Sequence, residues 1–429
     1  MAEVGAEPAE DDGKFWMCFD DVMAHFFSIN VCMVAQHGSQ HPQWVEKRRK
    51  VSFTYGGEDQ ISAPMYIISV TQKCEMYISV HQEDERCEGA KPYLDIGVTV
   101  LQIQPDYSYK LVASSGNSAE RQNQTQVTLK SGQYLVVPTT TGCKFAQGLQ
   151  YSGGPPVALV QEREDANPPS ASTAGSLSAG AAGKDGGGGG GGGVVREFSP
   201  EVTAALNEIF RRLDADLDGL LLREELNTFM QMTEACSMSD EVYDWLIQKF
   251  DSFNGGLTQD GFRAVYMYMF ESSGADVETI WRDLIYMGYD RSLDLLYART
   301  CMLAFHSMNH EFELHPQPFD SDAYEEAMEL PIKELGKCKE LEGGLVKLYT
   351  RRAGYSGVSF AVENCSSQYI EFTLDCSESR NVMSHRGQLR ASQLIPPSQT
   401  KVLHHLMPEH SFEQWSWSTR YAVTFLDDH

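Results

Sequence analysis

Residues 153–195 cannot build a core, and that interval sets the organisation on either side of it. They hold Pro155, Pro156, Pro168, Pro169, a Ser/Ala/Gly run, and unbroken glycine over 186–193. Glycine loses the most backbone entropy on ordering and has no side chain to bury, so the segment is expected to be a disordered tether. As a flexible coil of about 40 residues it would span on the order of 35 Å. The glycines are not a phosphate loop, because no Gly-Lys-Ser/Thr follows them and no strand precedes them.

At 429 residues the chain has room for roughly two to four domains. Its 42% hydrophobic content is enough to give each a core. Ahead of the tether, residues 50–55, 65–70, 76–81, 98–104, 109–113, 126–129 and 133–137 are β-branched or aromatic runs. Gly56-Gly57, Ser115-Gly116 and Ser131-Gly132 punctuate them. That spacing predicts an antiparallel sandwich over 41–152, with a short helix before it near Phe19.

After the tether the period becomes helical. Ser199-Pro200 reads as an N-cap with proline at the first helical position. Val202, Leu206, Ile209, Phe210 and Leu213 follow as one apolar stripe. Further helices are expected over 242–250, 262–270 and 276–287, the last ending at Gly288. Residues 307–340 read as a connector. From 341 to 429 the pattern is β again, with strands over 345–349, 358–363, 369–375, 401–406 and 421–425. The fold class is therefore multidomain α and β.

Residues 214–225 fit the twelve-residue EF-hand loop. Asp214, Asp216 and Asp218 stand at positions 1, 3 and 5, where short hard-oxygen arms are needed. Gly219 takes the sharp turn at position 6, Leu220 offers its carbonyl at position 7, and Glu225 at position 12 can chelate bidentately. Leu222 at position 9 leaves any ligand there to water. The ligand set implies one Ca²⁺, in a sensor range of about 10⁻⁷–10⁻⁵ M.

A damaged second copy lies at 251–262, where position 3 is Phe253 and position 12 is Phe262. It is expected to pair with the first loop through Leu257 and Leu221 and to bind no metal. The stretch Gly256-Leu257-Thr258, Phe262, Ile280-Trp281 and Met287-Gly288-Tyr289-Asp290 resembles the helical modules of the Miro GTPases. That resemblance implies that a further helix occupies the groove of the pair, over a module spanning 196–306.

Phe15-Trp16-Met17-Cys18-Phe19-Asp20-Asp21 and Cys32 resemble the last segment of a calpain protease core, over 13–40. Met76-Tyr77-Ile78-Ser79-Val80-His81-Gln82 and Leu129-Lys130-Ser131-Gly132-Gln133-Tyr134 resemble the calpain β-sandwich that trails that core. The family's cysteine, histidine and asparagine belong upstream of the matching segment, so none carries over and no catalytic residue is expected. Cys18 and Cys32 read as packed thiols. Phe360 to Asn364, Ile370 to Cys376 and His404-His405-Leu406 resemble the end domain of small-optic-lobes-type atypical calpains.

The formal net charge of −26 disfavours binding nucleic acid through a basic face. Ten cysteines without a C-x-x-C pair, and no signal peptide or apolar membrane span, point to reduced, mostly buried thiols and a cytoplasmic location. His306 and His310 could meet on a helix but lack the glutamate of H-E-x-x-H. His404 and His405 adjoin in a strand and so face opposite ways.

The expected function is a calcium-binding regulatory or adaptor protein resembling a calpain tail, with an unidentified protein partner. Two other readings stand beside it: a calpain-type protease whose core lies upstream of Met1, and a structural adaptor with a purely stabilising calcium site.

Overall fold

The computed structural model describes residues 17–26, 44–56, 61–87, 91–148, 157–164, 194–234, 236–274, 276–308, 310–317, 319–353, 356–410 and 413–426. The chain divides into residues 1–44 and 45–429. In the first unit one helix is described, α1 (Phe19–His25), and none of its residues is buried. Most of the segment resembling a protease-core end, Cys32 included, lies outside the described residues. Cys18 corrects the packed-thiol expectation. It is exposed, and its Sγ accepts the Asp21 N–H as the cap of α1.

The second unit opens with β1 (Trp44–Tyr55), β2 (Ile61–Ser62), β3 (Met65–Val70) and β4 (Cys74–His81). β5 (Ile96–Ile103), β6 (Tyr109–Ser114), β7 (Gln122–Leu129), β8 (Gly132–Thr140) and the short α2 (Cys143–Gly148) follow. Next come β9 (Val160–Glu164), β10 (Val194–Phe198), α3 (Pro200–Leu213), α4 (Arg223–Glu234) and α5 (Asp240–Lys249). β11 (Ser252–Phe253), β12 (Gly256–Leu257), α6 (Gln259–Ser272) and α7 (Glu278–Tyr286) complete the helical region. The chain returns through β13 (Ala298–Met308), β14 (Glu313–Gln317) and α8 (Ser321–Leu335).

The sandwich expected over 41–152 is not closed by those residues alone. One sheet runs β2-β1-β13-β4-β7 and the other β14-β3-β8-β5-β6. β13 lies inside the first sheet, pairing Met302 with His81 and Ser307 with Met76. β14 forms an edge of the second, pairing Glu313 with Ser69 and Gln317 with Met65. The edge suits Pro316, which has no N–H to donate to a further strand. Leu303, Phe305 and Phe312 join Phe53, Ile78, Val100 and Val136 in one core. The helical module is thus an insertion in the sandwich. The boundaries drawn at 152, 306 and 307 do not match this arrangement, because residues assigned to the module and connector are sandwich strands.

The tether reading also needs correction at its ends. β9 and β10 pair antiparallel, Val160 with Phe198 and Glu164 with Val194, so the entering and leaving chains run side by side. Residues 165–193 lie outside the described residues. Val157 N–H donates to Arg291 O (3.0 Å) and Ser199 N–H to Leu159 O (3.0 Å), fixing this ladder to the helical module.

α8 replaces the expected connector. Asp320 caps it, its Oδ1 accepting the N–H groups of Asp322 (3.0 Å) and Ala323 (3.2 Å). Pro331 sits inside the helix and cannot bond the Ala327 carbonyl four residues back. The Thr99 hydroxyl of β5 donates to that carbonyl instead, at 3.0 Å. A sandwich side chain therefore satisfies the acceptor that the proline orphans.

Beyond α8 the chain builds β15 (Lys337–Leu341), β16 (Val346–Ala353), β17 (Gly357–Asn364) and β18 (Tyr369–Asp375). β19 (Val382–Ser384), β20 (Arg390–Ile395), β21 (Thr400–Pro408) and β22 (Arg420–Leu426) complete it. They form sheets ordered β15-β16-β17-β21-β19 and β20-β18-β22 around Phe360, Phe372, Leu374 and Leu403. α8 reaches this module through Ile332, packed with Tyr349 and Ala361. Lys333 Nζ lies 2.5 Å from Glu363 Oε1.

Candidate functional site

α3 forms because Ser199 Oγ accepts the Val202 N–H (3.3 Å), Pro200 starts the first turn, and Val202, Leu206, Ile209 and Phe210 bury one face. It stops where Asp214 leaves helical geometry (φ −62°, ψ 83°). The loop then turns through Leu217 (φ +70°) and Gly219 (φ +83°). A Cβ at Gly219 would meet nothing within 4 Å, so backbone conformation rather than space calls for glycine there.

One carboxylate oxygen from each of Asp214, Asp216 and Asp218 lies within 4.8 Å of the others. Among the described residues no other group of three His, Cys, Asp or Glu side chains gathers in this way. Asp214 is buried, whereas Asp216 and Asp218 are exposed. Its Oδ2 accepts the Gly219 N–H at 3.3 Å, while Oδ1 is buried without a partner. Asp218 Oδ1 accepts from Leu220 N (2.8 Å) and Asp216 Oδ1 from Asp218 N (3.3 Å). Burial raises the Asp214 pKa, against the pull of Lys50. An orphaned, buried carboxylate oxygen is costly, and a hard cation among the three aspartates is the group that would satisfy it. The donor set fits Ca²⁺.

Glu225 stands outside the three-aspartate group. Its Oε1 accepts the Ala215 N–H (2.7 Å) and its Oε2 the Leu222 N–H (2.9 Å), so it bridges the loop and caps α4. Burial pushes its carboxyl up to about 7, opposed by those two N–H groups. Leu220, the expected carbonyl donor, immediately precedes Leu221, which forms an isolated bridge with Leu257.

Leu221 N–H donates to Leu257 O (2.8 Å) and Leu257 N–H to Leu221 O (3.0 Å), joining the two loops by the residues named from the sequence. The second loop is a tight hairpin of β11 and β12, turning at Asn254 (φ +49°) and Gly255 (φ +82°). The Asp251 carboxylate accepts the Thr258 hydroxyl at 2.5 Å, and Phe253 points out, exposed. No ring of carboxylates forms among these residues. Ile280, Trp281 and Leu284 of α7 and Met287 at its C-cap are buried in the same core as Leu206, Phe210 and Phe262.

The sequence reading missed how the first loop meets the sandwich. Lys50 of β1 donates its backbone N–H to Ala215 O (3.1 Å) and its ammonium to Arg211 O (2.7 Å). Buried Arg212 donates to Met287 O at 2.7 Å. Nothing local signals these contacts, since Lys50 precedes the loop by more than half the sandwich. Arg212 is visible only as a charge beside an apolar stripe.

The remaining candidates are settled by their surroundings. His306 lies in β13 rather than on a helix, 3.2 Å from Glu46, while His310 Nδ1 meets Gln72 at 2.8 Å. The helical reading failed because strand pairing with β4 outweighs a four-residue spacing. His404 and His405 are buried in β21, beside the hydroxyls of Ser384 (2.9 Å) and Ser359 (2.7 Å) respectively. Among the described cysteines Cys74, Cys143, Cys301 and Cys376 are buried, whereas Cys18, Cys87, Cys236, Cys338 and Cys365 are exposed, so the thiols are not mostly buried.

Residues 332–427 match the family described as Calpain-D-like, C-terminal domain. EF-hand calcium-binding domain-containing protein 7 of Mus musculus is 20% identical over 401 residues, covering 89% of this chain and 57% of that protein. The Homo sapiens protein of that name is 21% identical over 394 residues, with the same shares. Calpain-5 of Mus musculus is 27% identical over 157 residues, 30% of this chain and 24% of its own. The C-terminal region is calpain-related. The chain spans a little over half the length of the first two relatives. No helix among the described residues is long and apolar enough to cross a membrane.

Proposed function

We propose that this chain is a calcium-binding regulatory or adaptor module without protease activity, taking one ion in residues 214–225. The observation that carries the reading is the buried, unpartnered Oδ1 of Asp214 among three gathered aspartates. The relatives named as EF-hand calcium-binding proteins support it. The paired helix–loop–helix units act together, the second serving as a structural partner through Leu257. A bound ion adds what the loop lacks, positive charge against Asp214, Asp216 and Asp218. α7 already fills the apolar groove between the units, so ion binding tightens the module and opens no new apolar surface. A protein partner therefore reads another face.

Calcium titration of the full chain by calorimetry tests the proposal. One ion per chain is expected, with a Kd of about 10⁻⁷–10⁻⁵ M. Asp214→Asn and Glu225→Ala should each abolish the heat. At a thousandfold excess of calcium over Kd the fold gains about 4 kcal/mol, read as a higher melting temperature. A silent titration, two ions, or dye binding that appears only with calcium would overturn it.

A further inference from the structure

Between the first loop and the sandwich lies a cavity of about 430 Å³. That volume falls within the roughly 300–1,000 Å³ of small-molecule sites. Its wall is mostly apolar, with Tyr66, Met232, Met287, Leu314 and Pro316 among the lining side chains. Four cations also line it: Arg49, Lys50, Arg212 and Arg223.

The pairing of these cations is unusual. Arg49, Lys50 and Arg212 each hold a backbone carbonyl, of Arg48, Arg211 and Met287 respectively, and among the described residues only Arg223 of the four pairs with a carboxylate, that of Asp240. Arg212 is 5% exposed, its Nε has no partner, and no carboxylate lies within ion-pair distance of it among the described residues. A guanidinium does not shed its proton to escape burial, so the site holds a buried positive charge that lacks a counter-ion. Asp216, Glu224 and Glu225 line it as well. All three lie within residues 214–225, so a cation bound in that loop offsets the carboxylates that would repel an anion.

We propose that this cavity binds a small amphiphile with one anionic head, a carboxylate on a short alkyl chain. The head meets Arg212 and Lys50, and the tail lies along Met232, Met287 and Leu314. Control of its affinity by the loop cation rests on the calcium reading above; the site itself does not. Because Asp216 and Glu225 belong to both sites, the coupling is reciprocal, and the amphiphile raises calcium affinity by the factor that calcium raises its own.

Decanoate below its micellar concentration, titrated into the full chain with calcium and with chelator, tests the proposal. One molecule per chain is expected, bound at least tenfold tighter with calcium, and at least tenfold tighter than decanol or decylammonium. Arg212→Met should weaken decanoate tenfold or more. Met232→Trp, which fills the tail end, should do the same even if Arg212→Met fails to fold. Equal affinity for decanoate and decanol, or unchanged binding by a Met232→Trp variant that melts like the parent, overturns the site. A silent calcium titration alongside Arg212-dependent decanoate binding upholds the site and overturns only its gating.

Discussion

Cutting the chain within residues 186–193 should not separate it into two proteins. A sequence-specific protease site placed there leaves β1 to β9 on one piece and β10 to β22 on the other. The second piece holds β13 inside one sandwich sheet and β14 at the edge of the other. Parting them exposes Leu303, Phe305 and Phe312, each at most 3% exposed. At about 1.5–3 kcal/mol per such side chain, that loss is roughly 5–9 kcal/mol. β13 also registers six residues with β4, and β14 five with β3. At a net 0.5–1.5 kcal/mol per hydrogen bond, about as much again is lost. The sum, about 10–18 kcal/mol, brackets the roughly 12 kcal/mol of a nanomolar complex. Size-exclusion chromatography of the cut protein at micromolar concentration should therefore give one particle near the intact mass of 47.9 kDa, separating only in denaturant. Two native peaks, each with cooperative melting, would refute the insertion and restore the reading of two tethered halves.

Trp281→Ala should leave calcium binding intact while costing about 3–5 kcal/mol and raising hydrophobic-dye binding, because the indole fills the module's groove from α7. Gly288→Ala should destabilise by at least about 2 kcal/mol in a thermal melt. Its φ is +91°, and a Cβ there would sit 2.7 Å from the Ala298 side chain and 2.8 Å from its backbone nitrogen. Thr99→Val should cost about 1–3 kcal/mol in a thermal melt, since it removes the hydroxyl that bonds the carbonyl orphaned by Pro331.

What could be read from the sequence is what local chemistry encodes. The strands at 65–70 and 369–375 coincide with β3 and β18, because alternation and turn residues fix both ends within a few positions. The candidate loop at 214–225 was legible for the same reason, because the spacing of its carboxylates lies within twelve residues, and the gathering of Asp214, Asp216 and Asp218 needs no distant partner. The strands completing the sandwich were not. β13 has suitable alternation at Leu303 and Phe305, but its partner β4 lies about 220 residues earlier, and single-sequence periodicity carries no sign of that pairing. α8 was hidden by Pro331, which reads as a helix breaker unless Thr99 is known to take up the freed carbonyl. Glu225 shows the limit within the site itself. Position 12 was identifiable, but its present engagement with the Ala215 and Leu222 N–H groups depends on how the loop closes.

The insertion also determines what an ion could control. A module on a loose tether could change its loop without consequence for the sandwich. Here β9 and β10 bring the entering chain beside the start of α3, and α7 hands over through Gly288 to β13 across residues 287–297. Lys50 then bonds Ala215, the residue between Asp214 and Asp216, so a backbone hydrogen bond ties the loop to β1. The same strand leads to Ser52, 3.4 Å from the Arg212 guanidinium, and to Tyr55, whose N–H donates to Tyr297 O at 2.7 Å. A change in the loop would therefore reach β1 at Lys50, which lines the cavity together with Ser52 and Arg212. Coupling of this kind needs no large hinge movement, only a loop whose two charge states differ in how firmly Ala215 is presented to Lys50.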